Sequence, residues 1–372
     1  MRILYLSNNR SDHNRRFVEQ VCDAGHQLWF LDVCNNSSAP AWLPPDAAMV
    51  RLGSVVSREC EPLEMRMLLP EFRSVLQKLQ PDLIHAGPVQ SCGYLAALSG
   101  FHPLLVMSWG SDMLMHANQN SEWAQATETT LRCADGFFCD CNAVRAAANE
   151  FVLLRDDQVV QFPWGIRRGS FSPQGLLPSI YQPDGGTIRL ISTRSWEPLY
   201  DVDVLLSAFR IAHQKDLRLR LLLLGSGSMA ALLDAKIKDY QLRDVVTTPG
   251  WVPGYELPKW FRAAHIYVSC AKSDGTSISL LEAMATGLPV VVSDLDSNRE
   301  WVTEGQNGWL APAENIEQFA QKILCAARLS SAESKQISLR NQQVVRDRAD
   351  WDRNFPALLM TYERLLSATK NR

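Results

Sequence analysis

The sequence predicts an α/β protein built from two domains, each a parallel sheet with helices on both faces. Three observations carry this. The chain has 372 residues, more than one ordinary domain holds. Short, wholly apolar strands alternate with amphipathic helices in both halves, the pattern of a sheet covered on both sides. Between the halves, "PWGIRRGSFSPQGLLPSIYQPDGG" (163–186) is dense in Gly, Pro and Ser and has little periodicity, so it reads as a linker.

The first half opens with the strand "RILYLS". The helix "HNRRFVEQVCDAGH" follows, with Phe17, Val18, Val21 and Cys22 on one stripe and Gly25 as its stop. "QLWFLDV" is the next strand. After an irregular, Pro-rich stretch come the helix "EFRSVLQKLQ", the strand "PDLIHAG" and the helix "SCGYLAALSG". "PLLVMSWGSD" is a strand ending in a polar loop, and "GFFCDC" and "VVQFPWG" are further strands. Alternation restarts with the strand "TIRLISTR", the helix "DVDVLLSAFRIAHQ" and the strand and turn "LRLRLLLLGSGS". "MAALLDAKIKDYQL" and "ELPKWFRAA" are helices on either side of the strand "VVTTPGWV"; "HIYVSCA" and "PVVVSD" are strands. "NIEQFAQKILCAARL" and "NFPALLMTYERLLSAT" are helical by spacing.

Bulk properties narrow the function. Hydrophobic residues make up 46% of the chain and charged residues 21%, enough for two cores and too apolar for disorder. The formal net charge of −3 argues against a broad nucleic-acid footprint. Nine cysteines, an odd number in a long chain, argue against a disulfide framework and for the cytoplasm. Cys139 and Cys141 read as buried strand residues, not metal ligands. The opening segment does not read as a signal peptide, and no apolar run reaches the ~18 residues of a membrane span; peripheral contact with the inner membrane face is compatible with this.

Chemistry concentrates in "SDGTSISLLEAMATGLPVVVSD" (273–294). Strand "HIYVSCA" ends near Ala271, so the loop with Asp274, Gly275, Thr276 and Ser277 lies at a strand's carboxyl end and enters a helix N-terminus. Small residues there let backbone N–H groups approach an anion, and the helix dipole favours negative charge. Glu282 stands two turns in, among Leu280, Leu281, Ala283 and Met284. A carboxylate in that setting needs donors, and a ribose offers two adjacent hydroxyls.

This stretch resembles the acid-x7-Glu signature of retaining GT-B glycosyltransferases, particularly family 4. Other segments agree in order: "QFPWGIRRGSFSP", "RLISTRSWEPLYDVDVLLSAF", "LLLLGSGS", "VTTPGWVPGYELPKWFRAAHIYVSCA" and "NREWVTEGQNGWL". The resemblance covers nearly the whole chain and is strongest over 187–312. It implies two Rossmann-like domains facing a central cleft: an acceptor-side domain over 1–170, a nucleotide-sugar domain over 187–348, and a C-terminal helix over 349–372 returning to the first domain. It also implies transfer of a sugar, with retention, from a nucleotide-diphosphate donor to a glycan, lipid-linked or small-molecule acceptor, without metal or cofactor. By resemblance Glu282 binds the ribose and Asp274 the donor sugar. The backbone of Gly275, Thr276 and Ser277 serves sugar and diphosphate, Gly227 belongs to the Gly-x-Gly turn, and Arg194 neutralises the diphosphate.

Three departures matter. The first acid is Asp274 where the family has Glu. The Lys that partners the Arg is replaced at Leu199 or Tyr200, leaving Lys272, Arg167 and Arg168 as candidate substitutes. "MSWGSDML" resembles the His-Gly-Thr-Asp loop, with Trp109 in place of His and Gly110, Ser111 and Asp112 matching. Trp109 is then a flat wall, and polar work falls to Asp112, helped by His13, unless Asp112 caps the next helix. His85 reads as a core residue with a hydrogen bond; His26, His213 and His265 read as structural. Asp294 and Asp296 imitate an Asp-x-Asp metal site but read as a helix-capping loop. "GSGSMA" is not a dinucleotide fingerprint, since Ala230 holds its last place. Two rivals stand: a non-hydrolysing sugar-nucleotide epimerase, and a catalytically weak partner subunit that keeps the fold.

Overall fold

The computed structural model describes every residue except 36, 58–59, 168, 170, 173–185 and 371–372. Arg168 and most of the expected linker therefore lie outside the described residues. By contacts the chain divides into Met1–Phe162 with Phe355–Arg372, and Pro163–Asn354. The first unit holds β1 (Arg2–Ser7), α1 (Asp12–Asp23), β2 (Gln27–Asp32), β3 (Ala47–Val50), α2 (Pro62–Leu79) and β4 (Leu83–Ala86). After these come α3 (Tyr94–Ser99), β5 (Leu104–Met107), α4 (Ser121–Cys133), β6 (Gly136–Cys139), α5 (Asn142–Phe151) and β7 (Val159–Gln161). Its sheet is parallel throughout, ordered β3-β2-β1-β4-β5-β6-β7.

The second unit holds β8 (Ile188–Ser192), α6 (Val202–Lys215), β9 (Leu219–Leu224), α7 (Ala230–Asp239), β10 (Val246–Gly250) and α8 (Leu257–Ala263). It continues with β11 (Ile266–Ser269), α9 (Ile278–Thr286), β12 (Val290–Ser293), α10 (Asp296–Arg299), β13 (Gly308–Ala311), α11 (Ile316–Ala327), α12 (Ser331–Arg348) and α13 (Trp351–Asn354). Its sheet, also parallel, is ordered β10-β9-β8-β11-β12-β13. The last helix, α14 (Pro356–Lys370), belongs to the first unit. In both sheets the order reverses beside the first strand, between β1 and β4 and between β8 and β11. Crevices for ligands open at the carboxyl ends of strands at such points.

The apolar strands do what their composition dictates: every residue of β4, β5, β6, β11 and β12 is buried. Two helices absent from the sequence reading, α4 and α12, share a cause. α4 and α12 have no continuous apolar stripe. α4 buries Thr127 and Thr130 beside Ala126 and Leu131, and α12 buries Ser334, Ser338 and Asn341. Asn341 Nδ2 donates to the carbonyls of Leu288 (2.8 Å) and Asn307 (3.0 Å), so polar bonds fix α12 where apolar contacts would have signalled it. α2 begins at Pro62, a favourable first helical position, and runs on through Pro70, so it takes in part of the Pro-rich stretch read as irregular. β3 sits in the stretch read as irregular, and Cys141 caps α5 outside the strand. The unit boundary falls at Phe162/Pro163 because 163–166 pairs with 349–351. Ile166 N–H donates to Ala349 O (2.9 Å) and Trp351 N–H to Ile166 O (3.0 Å).

Two buried histidines give the fold a pH dependence. His85, fully buried on β4, is enclosed by Tyr5, Phe17, Phe138 and Tyr362, with Nδ1 2.7 Å from the Tyr362 hydroxyl on α14. His265 Nδ1 accepts the Arg189 N–H at 2.8 Å. Burial pushes His85 down to about 3; burial, then the Arg189 charge, pushes His265 down to about 4. Unfolded, both titrate near ~6.5, so the unfolded chain takes up protons first as pH falls. The stability of the neutral rings is present above about pH 6.5 and is lost from there down to the folded values. Each ring removes up to about 1.4 kcal/mol per pH unit across that window. Thermal unfolding between about pH 7 and pH 5 reads the effect. His265→Asn, whose side-chain oxygen still accepts the Arg189 N–H, is expected to flatten the slope; an unchanged slope contradicts the assignment.

Candidate active site

The second unit gathers the predicted donor residues at its switch point. Arg194 leaves β8 two residues past its end and is only 9% exposed. Its Nη2 pairs with Asp274 Oδ2 at 2.8 Å, and its Nη1 donates to Ser277 Oγ (2.6 Å) and Ser279 Oγ (3.0 Å). The Tyr200 ring lies 4.1 Å from the guanidinium carbon, so an aromatic face stands where the resemblance leads one to expect a second cation. Burial works against charge on Arg194, but Asp274 and the surrounding hydroxyls outweigh it and raise its pKa. Burial also pushes the Asp274 carboxyl up, against the pull of Arg194, Ser277 and the Gly275 N–H.

The loop from β11 reaches α9 as its sequence suggests. Gly275, Thr276 and Ser277 are buried, and Ser277 is the N-cap, its Oγ 3.4 Å from the Leu280 N–H. Glu282 is half-buried in the second turn. Gly227 plays a packing part. A Cβ there would stand 2.4 Å from the Trp196 carbonyl oxygen and 2.6 Å from Glu197 Oε1, so glycine lets the β9 exit loop lie against the loop carrying Arg194. Sequence reasoning missed Tyr267 and Ser279. Tyr267 stands on the buried strand β11, yet its hydroxyl lies 2.7 Å from Ser279 Oγ and completes the ring of hydroxyls around Arg194. The alternating hydroxyls of "TSIS" were the available signal.

Lys272, one of the candidate substitute cations, is engaged elsewhere. Lys272 pairs with Asp201 and Glu314, each at 3.1 Å, and its backbone N–H holds Leu199 O at 2.9 Å. Arg167 is exposed, and Arg168 lies outside the described residues. Asp294 and Asp296 both pair with Arg299, and the Asp294 side chain does not cap α10 as expected.

The first unit has its own cavity at its switch point, about 510 Å³ in volume. Asn8 and Asn9 line it from the exit of β1, Gln90 and Ser91 from that of β4, and Trp109, Ser111 and Asp112 from that of β5. His13 and Trp109 meet edge to face, with ring centroids 6.3 Å apart. Gly87 admits the indole: a Cβ there would stand 3.0 Å from Trp109 Nε1 and 2.4 Å from Met107 O. Asp112 is buried and occupied. Oδ1 accepts from Ser108 Oγ (2.7 Å) and the N–H groups of Trp109 (2.9 Å) and Met113 (3.0 Å); Oδ2 accepts the Val89 N–H (3.0 Å). Burial pushes its carboxyl up, against these donors. The arrangement ties the β4 exit to the β5 exit.

Residues 2–140 match the family model "Glycosyl transferase 4-like", and residues 188–328 match "Glycosyl transferases group 1". The chain belongs to these glycosyltransferases. A D-inositol 3-phosphate glycosyltransferase of Pseudarthrobacter chlorophenolicus is 28% identical to this glycosyltransferase over 336 residues, 82% of the chain and 79% of that protein. Three other curated relatives are matched over less than half of their own length, 45%, 41% and 39%. In fold, the glycosyltransferase is similar to sucrose-phosphate synthase of Thermosynechococcus elongatus (TM-score 0.82, 18% identity, 99% of each chain). It is also similar to Anabaena HepE solved with UDP (TM-score 0.77, 16% identity, 98% of this chain and all of that one). The fold is GT-B: two parallel-sheet, Rossmann-like domains. No helix among the described residues is long and apolar enough to cross a membrane.

Proposed function

We propose that the chain transfers a hexose from a nucleotide-diphosphate sugar to an acceptor hydroxyl, with retention at the anomeric carbon. The observation that carries this is the Arg194 cluster. A buried guanidinium is fixed at the mouth of the α9 N-terminus, and its Nε–H has no acceptor among the described residues; Thr193 Oγ1 beside it has no partner either. A diphosphate supplies the acceptors that these groups lack. That HepE was solved with UDP on a similar fold agrees with this reading.

Asp274 and the Gly275–Ser277 backbone then face the sugar, and Glu282 takes the ribose hydroxyls. The bond from anomeric carbon to diphosphate oxygen breaks as the acceptor oxygen bonds on the same face. The acceptor proton passes to the departing phosphate oxygen. Catalysis in this scheme is positioning and charge stabilisation, and the scheme calls on no metal or cofactor. We place the reaction in the cytoplasm, in keeping with nine free cysteines.

Glu282→Ala is expected to weaken nucleoside-diphosphate binding by about 2 kcal/mol, roughly 30-fold in Kd, with the fold intact. Calorimetric titration checks it, and unchanged affinity removes the ribose assignment. Release of nucleoside diphosphate that rises when acceptor is added separates a transferase from a binding subunit. Formation of an epimeric sugar nucleotide without acceptor identifies an epimerase.

A further inference from the structure

The cavity of the first unit differs in chemistry from the Arg194 cluster. Its described lining includes no Lys or Arg; its titratable side chains are the carboxylates of Glu61 and Asp112 and the imidazole of His116. A phosphate brought here meets two carboxylates and no guanidinium or ammonium among the described lining residues. Two indoles, Trp109 and Trp123, supply flat apolar faces, and amides and hydroxyls supply the polar contacts.

Gln90 is the most informative lining residue. It is 1% exposed, and its Nε2 donates to Asp112 O (2.9 Å) and Thr127 Oγ1 (2.9 Å). Thr127 Oγ1 spends its own hydrogen on Trp123 O (2.8 Å), so it can only accept from Gln90. The amide is therefore fixed with nitrogen towards these two acceptors. Its Oε1 is buried with no donor among the described residues. A buried acceptor in a cavity wall calls for a hydroxyl.

We propose that this cavity takes the uncharged, hydroxyl-rich end of a saccharide acceptor, with Gln90 Oε1 accepting from a sugar hydroxyl and Trp123 forming a wall. This rests on the glycosyltransferase reading above, and it excludes phosphorylated polyols as preferred acceptors.

The test uses the full chain with the sugar nucleotide that gives the largest thermal shift. Octyl glucoside, galactoside and mannoside are compared with glucose 6-phosphate, galactose 6-phosphate, mannose 6-phosphate and inositol 1-phosphate, reading nucleoside-diphosphate release above the acceptor-free rate. At least one neutral glycoside is expected to exceed every phosphorylated compound by about 10-fold or more in kcat/KM. Trp123→Ala and Gln90→Leu are each expected to raise its KM by about 10-fold while the donor's thermal shift stays unchanged. Gln90 also holds the loop, so Trp123→Ala decides if the Gln90 variant fails to fold. Equal or better use of a phosphorylated acceptor, no transfer to any neutral glycoside, or an unchanged KM in Trp123→Ala overturns the proposal. Donor binding and slow acceptor-free hydrolysis that persist in those cases leave the glycosyltransferase reading standing; absence of both overturns that reading as well.

Discussion

Arg194→Ala is expected to lower turnover about 100-fold or more, near 2.7 kcal/mol of barrier, while donor affinity falls less. Negative charge grows on the diphosphate as the glycosidic bond breaks, so a fixed cation stabilises the transition state more than the ground state. The guanidinium is already held by Asp274, Ser277 and Ser279 and stacked on Tyr200, so little reorganisation remains at the moment of reaction. Arg194→Lys keeps the charge but loses the planar fork, and is expected to recover only part of the rate. Truncation also strips Asp274 of its partner, so its carboxyl rises further as burial goes unopposed. Steady-state kinetics with a melting curve for each variant separates lost chemistry from lost packing. Wild-type kinetics in Arg194→Ala means that other residues hold the diphosphate.

Asp112 is expected to show the second large effect, in stability. Asp112→Ala leaves three backbone N–H groups and a hydroxyl without their acceptor in a buried loop, at a cost of about 3 kcal/mol or more. In Asp112→Asn the oxygen still serves the three donors on Oδ1, but the amide nitrogen faces the Val89 N–H, at a cost of about 1–2 kcal/mol. Well below the melting temperature, Asp112→Asn is expected to keep donor affinity and most of its transfer rate. A 10-fold loss of rate at full folding and unchanged affinity would return Asp112 to the chemistry.

The cluster around Arg194 was legible because its parts lie in one contiguous stretch plus one arginine at a strand end. Asp274, Gly275, Thr276, Ser277 and Arg194 meet at the β8/β11 switch point, where strand order alone directs both loops. Tyr267 and Ser279 escaped notice because an apolar strand and a helix's first turn carry no sign of a polar partner from elsewhere in the chain. Lys272 misled for the opposite reason. Its charge was visible in the sequence, and the Asp201 and Glu314 carboxylates that occupy it, far along the chain, were not. Helices built on Thr, Ser and Asn contacts, such as α4 and α12, lack the apolar period that announces a helix. Gln90 gave no signal at all, since its importance comes from a fixed amide orientation that only the folded network sets.

The most direct test of the central claim is an NMR assay with α-configured sugar nucleotides labelled with carbon-13 at C1, each mixed with the protein and a neutral glycoside. The account predicts that the labelled anomeric carbon leaves the nucleotide, appears in an α-glycosidic product, and is matched one for one by nucleoside diphosphate. A β-linked product contradicts retention, and label that never leaves any nucleotide contradicts glycosyl transfer itself.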